Sequence, residues 1–155
     1  MGRPLSTEKR IDKFFSYRPR SIHETEVYLE YKIKLSKVKT ADYISKLKQR
    51  GLLNDEVFTM WWVEQRTRAR QRSLYFIARE LASKGVDKEL VARVIAKSPV
   101  GDSETVRALL DKKMHVFERK YDKKNLVPKI IEFLQRRGYL YSVSKKAIED
   151  YRKSE

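Results

Sequence analysis

The chain repeats itself, and the repeat limits what it can fold into. Five positions in its middle third recur 53 residues later: Ile77, Leu81, Gly85, Leu90 and Ile95 correspond to Ile130, Leu134, Gly138, Val143 and Ile148. A repeat unit of roughly fifty residues is one small helical assembly that cannot close a core alone, so the copies are expected to stack. We therefore predict an all-α fold of three tandem three-helix, helix-turn-helix-like repeats in an elongated, curved array.

Breaker residues divide the chain into these units. Glycine and proline number only 5 and 4, and no segment shows sustained period-two alternation, so helices without a sheet are expected. The run Ser98-Pro99-Val100-Gly101 predicts a boundary. The predicted units are residues 1–52, which include an N-terminal extension, residues 53–100 and residues 101–155.

Capping residues predict where helices begin. Ser21 and Glu24 have the capping-box spacing, and Asn54 or Asp55 precedes an apolar run that we expect to face the core. That run contains Val57, Phe58, Trp61 and Trp62. In the third unit we expect Ser103, Asn125 and Ser142 to cap the three helices, with Pro128 in a first turn. In the first unit a lysine-rich connector, 34–39, is expected before a third helix that ends near Gly51.

The charge of the chain predicts an anionic partner. Lys and Arg number 36 against 21 acidic residues, which gives a net charge of +15. The excess is +7 in residues 1–50, +3 in 51–100 and +5 in 101–155, so no single tail carries it. A folded basic array favours nucleic acid or a protein–nucleic acid assembly. The absence of cysteine and of an 18-residue apolar stretch predicts a cytoplasmic protein that no membrane holds.

Clustered cations are the candidate contacts with that partner. Arginine offers a planar fork to phosphate or carboxylate, and any single surface cation can equally be a solvated helix face. The candidates are Arg66, Arg68, Arg70, Arg72, Lys112, Lys113, Arg119, Lys120, Lys123, Lys124, Arg136 and Arg137. The last two also suit the negative end of a helix dipole. We expect Trp62 to pack in the core and Trp61 to be packing rather than a base-stacking platform.

The sequence contains no pattern typical of catalysis. The two histidines, His23 and His115, are far apart, no cysteine accompanies them, and no glycine-rich phosphate loop is present. The acidic residues lie among lysines and arginines rather than as an isolated pair in an apolar setting. We therefore expect neither an enzyme nor a bound cofactor or metal.

The order and spacing of three motifs resemble the RecX family of regulators of the RecA recombinase. Residues 53–58, Leu-Asn-Asp-Glu-Val-Phe, resemble the family's L-D-D-x-x-F, and Arg66 follows where the family has a basic residue. Residues 77–87 are similar to I-x-x-E-L-x-x-K-G-V/I-D/S, and residues 131–139 to L-x-x-F-L-x-R-R-G-F/Y. The resemblance runs from about Ser21 to Tyr151. The first unit departs from it, because Ile33 stands where the other units have glycine, and its second helix is expected to run longer.

The resemblance implies a function. RecX proteins bind RecA filaments on single-stranded DNA, lie in the helical groove and reduce ATP hydrolysis, strand exchange and co-protease activity. It therefore implies a non-enzymatic regulator whose partner is the RecA filament. We expect a monomer, and we leave open whether it contacts single-stranded DNA directly.

Two alternatives remain open from the residues alone. One is a free-standing duplex-DNA reader built from helix-turn-helix-like units, although the expected third helices begin Asp87-Lys88-Glu89 and Ser142-Val143-Ser144, which are poor in base-reading side chains. The other is a scaffold for an acidic protein.

Overall fold

The computed structural model describes residues 5–154, and that part of the chain is helical without any strand. The predicted extension begins at residue 1, and its first four residues lie outside the described range. The first unit has α1 (Thr7–Ser16), α2 (Ile22–Val27), which continues through a π-helical turn (Tyr28–Lys32), and α3 (Lys37–Gln49). The second unit has α4 (Asp55–Arg68), α5 (Leu74–Ser83) and α6 (Lys88–Ala96), and the third has α7 (Asp102–Lys120), α8 (Lys123–Gln135) and α9 (Tyr141–Lys153).

Each unit has its own hydrophobic core. The first core surrounds Leu29, the second surrounds Phe58 and Ile77, and the third surrounds Leu109 and Leu134. Among the described helices, each pair in extensive contact consists of two helices of the same unit. The accessible surface is 10604 Å², whereas a compact monomer of this mass exposes about 8,200 Å². The predicted row of three helical units is therefore confirmed, and the row is open rather than spherical.

The first unit differs from the others by one inserted residue. Leu35 donates its amide to the Leu29 carbonyl six residues earlier, whereas Val86 and Tyr139 donate to carbonyls five residues earlier, those of Leu81 and Leu134. The π-helical turn absorbs this extra residue, so α2 with that turn is one residue longer than α5, although it is shorter than α8.

A lysine closes that longer helix. The residue in the left-handed conformation there is Lys34, with φ of 67°. Lys34 is exposed, so its side chain has room. The connector predicted over 34–39 is shorter than expected, because Ser36 caps α3 and the helix begins at Lys37.

Three predicted caps of the third unit are wrong by two or three residues. Helix α7 begins after Gly101, whose amide bonds the Glu104 carboxylate at 3.2 Å, and not after Ser103. Asp122 rather than Asn125 caps α8, because its carboxylate accepts the Asn125 amide at 2.8 Å. Pro128 therefore lies in the second turn of α8, where its missing N–H leaves one exposed carbonyl to water.

The third helix of that unit also starts early. Helix α9 follows Leu140 and begins at Tyr141, without a side-chain cap, so Ser142 lies inside the helix.

The units are joined by the same clasp at both junctions. Between the first two units, Asp55, the first residue of α4, accepts the amide of Ile22 at 2.8 Å. Between the last two units, Asp102, the first residue of α7, accepts the amide of Leu74 at 2.8 Å. Ile22 and Leu74 are each the first residue of a second helix, where an amide has no partner within its own helix. Each aspartate therefore satisfies a backbone donor of the preceding unit.

The end of a second helix completes each clasp. The hydroxyl of Ser21 donates to the Lys84 carbonyl at 2.8 Å, and the amide of Ser73 donates to the Arg137 carbonyl at 3.2 Å. Both serines are fully buried. Burial raises the pKa of Asp55 and of Asp102, and the bond from the neighbouring amide opposes that rise.

Two glycines allow the units to approach this closely. A Cβ on Gly85 would lie 2.4 Å from the His23 Cβ, and a Cβ on Gly138 would lie 2.6 Å from the Ser73 Oγ. Both glycines have positive φ, and so does Gly51, which has nothing within 4 Å of the same position. Gly85 and Gly138 are thus needed for helix termination and for contact between units, whereas Gly51 serves only the first purpose.

We predict that alanine substitutions at these glycines separate the two roles. Gly51→Ala should lower the free energy of unfolding by about 1–2 kcal/mol, the cost of a side chain in the left-handed region. Gly85→Ala and Gly138→Ala should lose roughly 1–3 kcal/mol more, because the added methyl overpacks the junction. Urea denaturation measures all three, and equal losses would contradict a contact role for Gly85 and Gly138.

We predict that the acceptor oxygen of Asp102 matters more than its charge. Asp102→Ala leaves the Leu74 amide without its partner and should cost about 1–3 kcal/mol of unfolding free energy. Asp102→Asn keeps an oxygen that can accept the bond and should stay within about 1 kcal/mol of the unsubstituted protein, since it loses mainly the helix-dipole interaction. An asparagine variant as unstable as the alanine variant would show that the clasp depends on charge.

Candidate partner-binding surfaces

Arg66, the first of the predicted contact residues, is engaged within the protein. Its Nε lies 2.9 Å from the Glu80 carboxylate, and its guanidinium lies 4.3 Å from the centre of the Trp62 ring. The Trp62 Nε1 donates to the same Glu80 carboxylate at 2.9 Å. Arg66 therefore holds α4 against α5, and its side chain is only 24% exposed.

Trp62 is covered by cations from both sides of the first junction. Besides Arg66, the Arg18 guanidinium and the Lys84 ammonium lie 5.5 and 4.6 Å from its ring centre. With 7% of its surface exposed, Trp62 is a core residue, as predicted, and not a platform for bases.

A carboxylate anchors two of these cations. Glu24 bonds Arg18 at 2.6 Å and Lys84 at 2.9 Å. Burial alone would raise the pKa of Glu24, but hydrogen bonds from Arg18 and Lys84 outweigh that effect and hold the pKa at about 2. Lys84 belongs to the second unit and Arg18 and Glu24 to the first, so this ion-pair cluster adds to the clasp.

Two further predicted residues, Arg72 and Arg137, lie at the second junction. Arg72 donates to the Arg136 carbonyl at 3.0 Å, and its guanidinium lies 4.6 Å from the Phe76 ring centre. The Arg137 guanidinium lies 4.1 Å from the Phe133 ring centre, and burial followed by repulsion from Arg72 lowers the pKa of Arg137. The Arg72 side chain therefore helps to join the units, whereas the Arg137 side chain packs within the third unit.

Three more predicted arginines lie on the surface. Arg68 pairs with Glu64 at 3.2 Å, and Arg136 pairs with Glu132; each pair is one helical turn apart. Arg70 is exposed, and no ion-pair partner is found for it within residues 5–154. Exposed pairs contribute little to stability, so these side chains are available to an external partner.

The other predicted cations share one region of the third unit. Lys112, Lys113, Arg119 and Lys120 lie on the C-terminal half of α7, and Lys123 and Lys124 open α8 directly after it. All are exposed except Lys113, which is half-buried. The Lys120 ammonium lies 5.4 Å from the Tyr121 ring centre, and the structure shows no ion pair to any of the six within its described range.

An exposed apolar pair on α4 was not predicted as surface. Val57 was expected in the core stripe, but Val57 and Met60 are each 57% exposed, and Trp61 beside them is partly buried against the core. Phe58 and Trp62 fill the core instead. Residues 57, 60 and 61 share a helix face, and their spacing is the signal that could have marked this face.

Features of other protein classes are not found in the described range. Residues 5–154 hold no group of three or more His, Asp or Glu side chains placed to bind a metal ion. None of the helices described is long and apolar enough to cross a membrane.

Comparison with known proteins identifies the second unit directly. The family model described as RecX, second three-helix domain, matches residues 54–95. Regulatory protein RecX of Corynebacterium efficiens is 33% identical over 105 residues, which cover 63% of this chain and 49% of that protein. Regulatory protein RecX of Finegoldia magna is 29% identical over 137 residues, which cover 85% of this chain and 65% of that protein.

Two solved structures share the fold. The crystal structure of RecX from Lactobacillus salivarius superposes with a TM-score of 0.74 at 20% identity and covers 92% of both chains. A crystal structure of regulatory protein RecX gives a TM-score of 0.72 at 18% identity, covering 91% of this chain and 69% of that one. The chain spans between about half and two thirds of the length of the relatives named above. The matched second domain, the relatives that carry the same name and the shared fold together show that this chain is similar to proteins of the RecX family.

Proposed function

We propose that this protein is a non-enzymatic regulator of the RecA recombinase, acting in the cytoplasm on RecA filaments assembled on single-stranded DNA. In this proposal it lowers the filament's ATP hydrolysis, strand exchange and co-protease activity. Similarity to the RecX family, above all the match of its second three-helix domain to residues 54–95, carries the proposal. The shape of the chain supports it, because a row of units that each have their own hydrophobic core offers a long surface to an extended partner. The net charge of +15 also favours a partner that contains nucleic acid.

We propose further that the protein acts as a monomer and that its contact with the filament uses the second unit. Val57 and Met60 present an apolar face on α4, and Arg68 and Arg70 lie at the end of the same helix. Apolar side chains with arginine beside them are the composition typical of protein interfaces. Residues 1–52, 53–100 and 101–155 are the three units that we assign to this array.

The free-standing duplex reader is the competing proposal. A duplex reader needs base-reading side chains at the start of an exposed recognition helix. Helix α6 begins with Lys88, Glu89 and Leu90, and α9 begins with Tyr141, Ser142 and Val143. These residues include no Arg, Asn or Gln, side chains that commonly read bases in the major groove, so we favour the filament regulator.

We predict that the protein lowers ATP turnover by the RecA of its own host on single-stranded DNA when present at fewer copies than RecA. A double variant, Val57→Asp with Met60→Asp, should weaken this inhibition at least tenfold, because two charges replace the apolar contact. Val38→Asp is the matched control, since Val38 is 81% exposed on α3, and it should inhibit normally. A coupled ATPase assay measures all three proteins. Absence of inhibition at any ratio, together with tight sequence-specific duplex binding, would favour the duplex reader.

We predict that Arg66 stabilises the fold, whereas Arg68 and Arg70 bind the partner. Arg66→Ala removes the partner of Glu80 and should cost about 1–3 kcal/mol of unfolding free energy. The double variant Arg68→Ala with Arg70→Ala should leave the thermal midpoint within about 2 °C and weaken binding to the RecA filament several-fold. Thermal denaturation and filament co-sedimentation separate these effects. Unchanged filament binding by the double variant would remove this helix end from the interface.

A further inference from the structure

Helix α7 is longer than its counterpart and outgrows the core. It has 19 residues, whereas α4, the first helix of the preceding unit, has 14. At 1.5 Å per residue, α7 is about 28 Å long. Its fully buried residues end at Met114. After Met114 only Phe117 packs against the core, with its ring centre 5.2 Å from that of Phe133, and the other side chains of the last turns are exposed.

One face of α7 is buried in the first half of the helix and exposed in the second half. Positions 105, 109, 112, 116 and 119 follow one row of the helix, because steps of three and four residues return to the same side. Thr105 and Leu109 are buried in that row, whereas Lys112 and Arg119 are exposed and Val116 is 38% exposed. The face that is buried in the first half is therefore open and basic in the second half.

The four cations of this half, here called the α7 stripe and defined as Lys112, Lys113, Arg119 and Lys120, form two pairs about 10 Å apart along the helix axis. Lys112 and Arg119 are seven residues apart, as are Lys113 and Lys120, so the four lie within about a third of the helix circumference. Lys123 and Lys124 extend the positive charge into the first turn of α8.

Acidic side chains do not neutralise the stripe. Residues 112–124 contain two acids, Glu118 and Asp122. Glu118 falls on the opposite side of α7 from the stripe at 100° per residue. The Asp122 carboxylate is occupied as the cap of α8.

The chemistry of the stripe fits phosphate better than a protein surface. It has three lysines and one arginine, and lysine is depleted at protein interfaces. A lysine ammonium is a strongly hydrated point charge that suits contacts with a phosphate backbone without base reading. The planar guanidinium of arginine suits protein groups, and three arginines are engaged in this way within the protein. Arg66 pairs with a carboxylate, Arg72 bonds a backbone carbonyl and Arg137 packs on an aromatic ring.

We propose that the α7 stripe binds the phosphate backbone of single-stranded DNA. The choice of single-stranded over duplex DNA rests on the proposed function. The contact needs no base reading, so it tolerates any sequence. It lies on the third unit, apart from the α4 face through which the protein meets RecA.

The test measures binding of a fluorescein-labelled oligothymidylate by anisotropy, without RecA, over a series of salt concentrations. The stripe variant carries Lys112→Gln, Lys113→Gln, Arg119→Gln and Lys120→Gln. The matched control carries Lys145→Gln, Lys146→Gln, Arg152→Gln and Lys153→Gln on α9. These four are also exposed, and their loss changes the net charge equally.

The stripe variant should bind at least tenfold more weakly at 0.1 M salt. The slope of log affinity against log salt should fall by about 3, since each of four lost phosphate contacts contributes about 0.7 for a single strand. The control should lose less than threefold, with a slope change below about 1. Circular dichroism establishes that both variants keep the helical content of the unsubstituted protein.

Three results would overturn the proposal. The unsubstituted protein could fail to bind the oligonucleotide, both variants could lose affinity equally, or the stripe variant could bind DNA normally but lose binding to DNA-free RecA. The last result would assign the stripe to an acidic protein surface. Preference for duplex DNA that the stripe variant abolishes would overturn the choice of single strands. ATPase inhibition by the unsubstituted protein tests the proposed function separately, so either claim can fail alone.

Discussion

The array depends on a short approach between neighbouring units that only glycine permits. At Gly85 and Gly138, the second helix of one unit ends against the start of the second helix of the preceding unit. A Cβ on either glycine would fall within 3 Å of a side chain of that preceding unit. At that distance Asp55 and Asp102 reach backbone amides that would otherwise lack a partner. An aspartate oxygen accepts the first amide of a second helix at both junctions, so the repeat extends to the way the units are joined.

Arginine and lysine have different places in this molecule. The arginines at the junctions and beside Trp62 are bound to carboxylates, carbonyls and aromatic faces, which match a planar guanidinium. Of the lysines of α7 and early α8, Lys120 lies 5.4 Å from the Tyr121 ring centre, and none forms an ion pair with a carboxylate within residues 5–154. Only some of the cations behind the net charge of +15 are therefore open to a partner, because others are engaged within the protein. The cations of α7 and early α8 lie on the third unit, whereas the exposed apolar pair, Val57 and Met60, lies on the second.

The sequence predicted the units and helices well, since capping residues and apolar periodicity are local signals. It could not predict the clasps. Gly85 and Gly138 were interpreted only as helix ends, because their contact with another unit depends on residues more than fifty positions away. Asp102 was not singled out, and Ser103 beside it was taken as the cap, because both residue types favour helix starts. Arg66 and Arg72 were predicted as partner contacts, since a charge run does not show which members fold back onto an aromatic ring.

Amide hydrogen exchange at Ile22 and Leu74 tests the central claim most directly. First-residue amides of helices normally exchange freely, because no carbonyl of their own helix reaches them. The clasp predicts that these two amides are protected to the level of the helix interiors, whereas the amides of Lys88 and Lys123, which also open helices, exchange at open rates. Exchange at Ile22 and Leu74 as fast as at Lys88 and Lys123 would contradict a chain whose units are held by these aspartates.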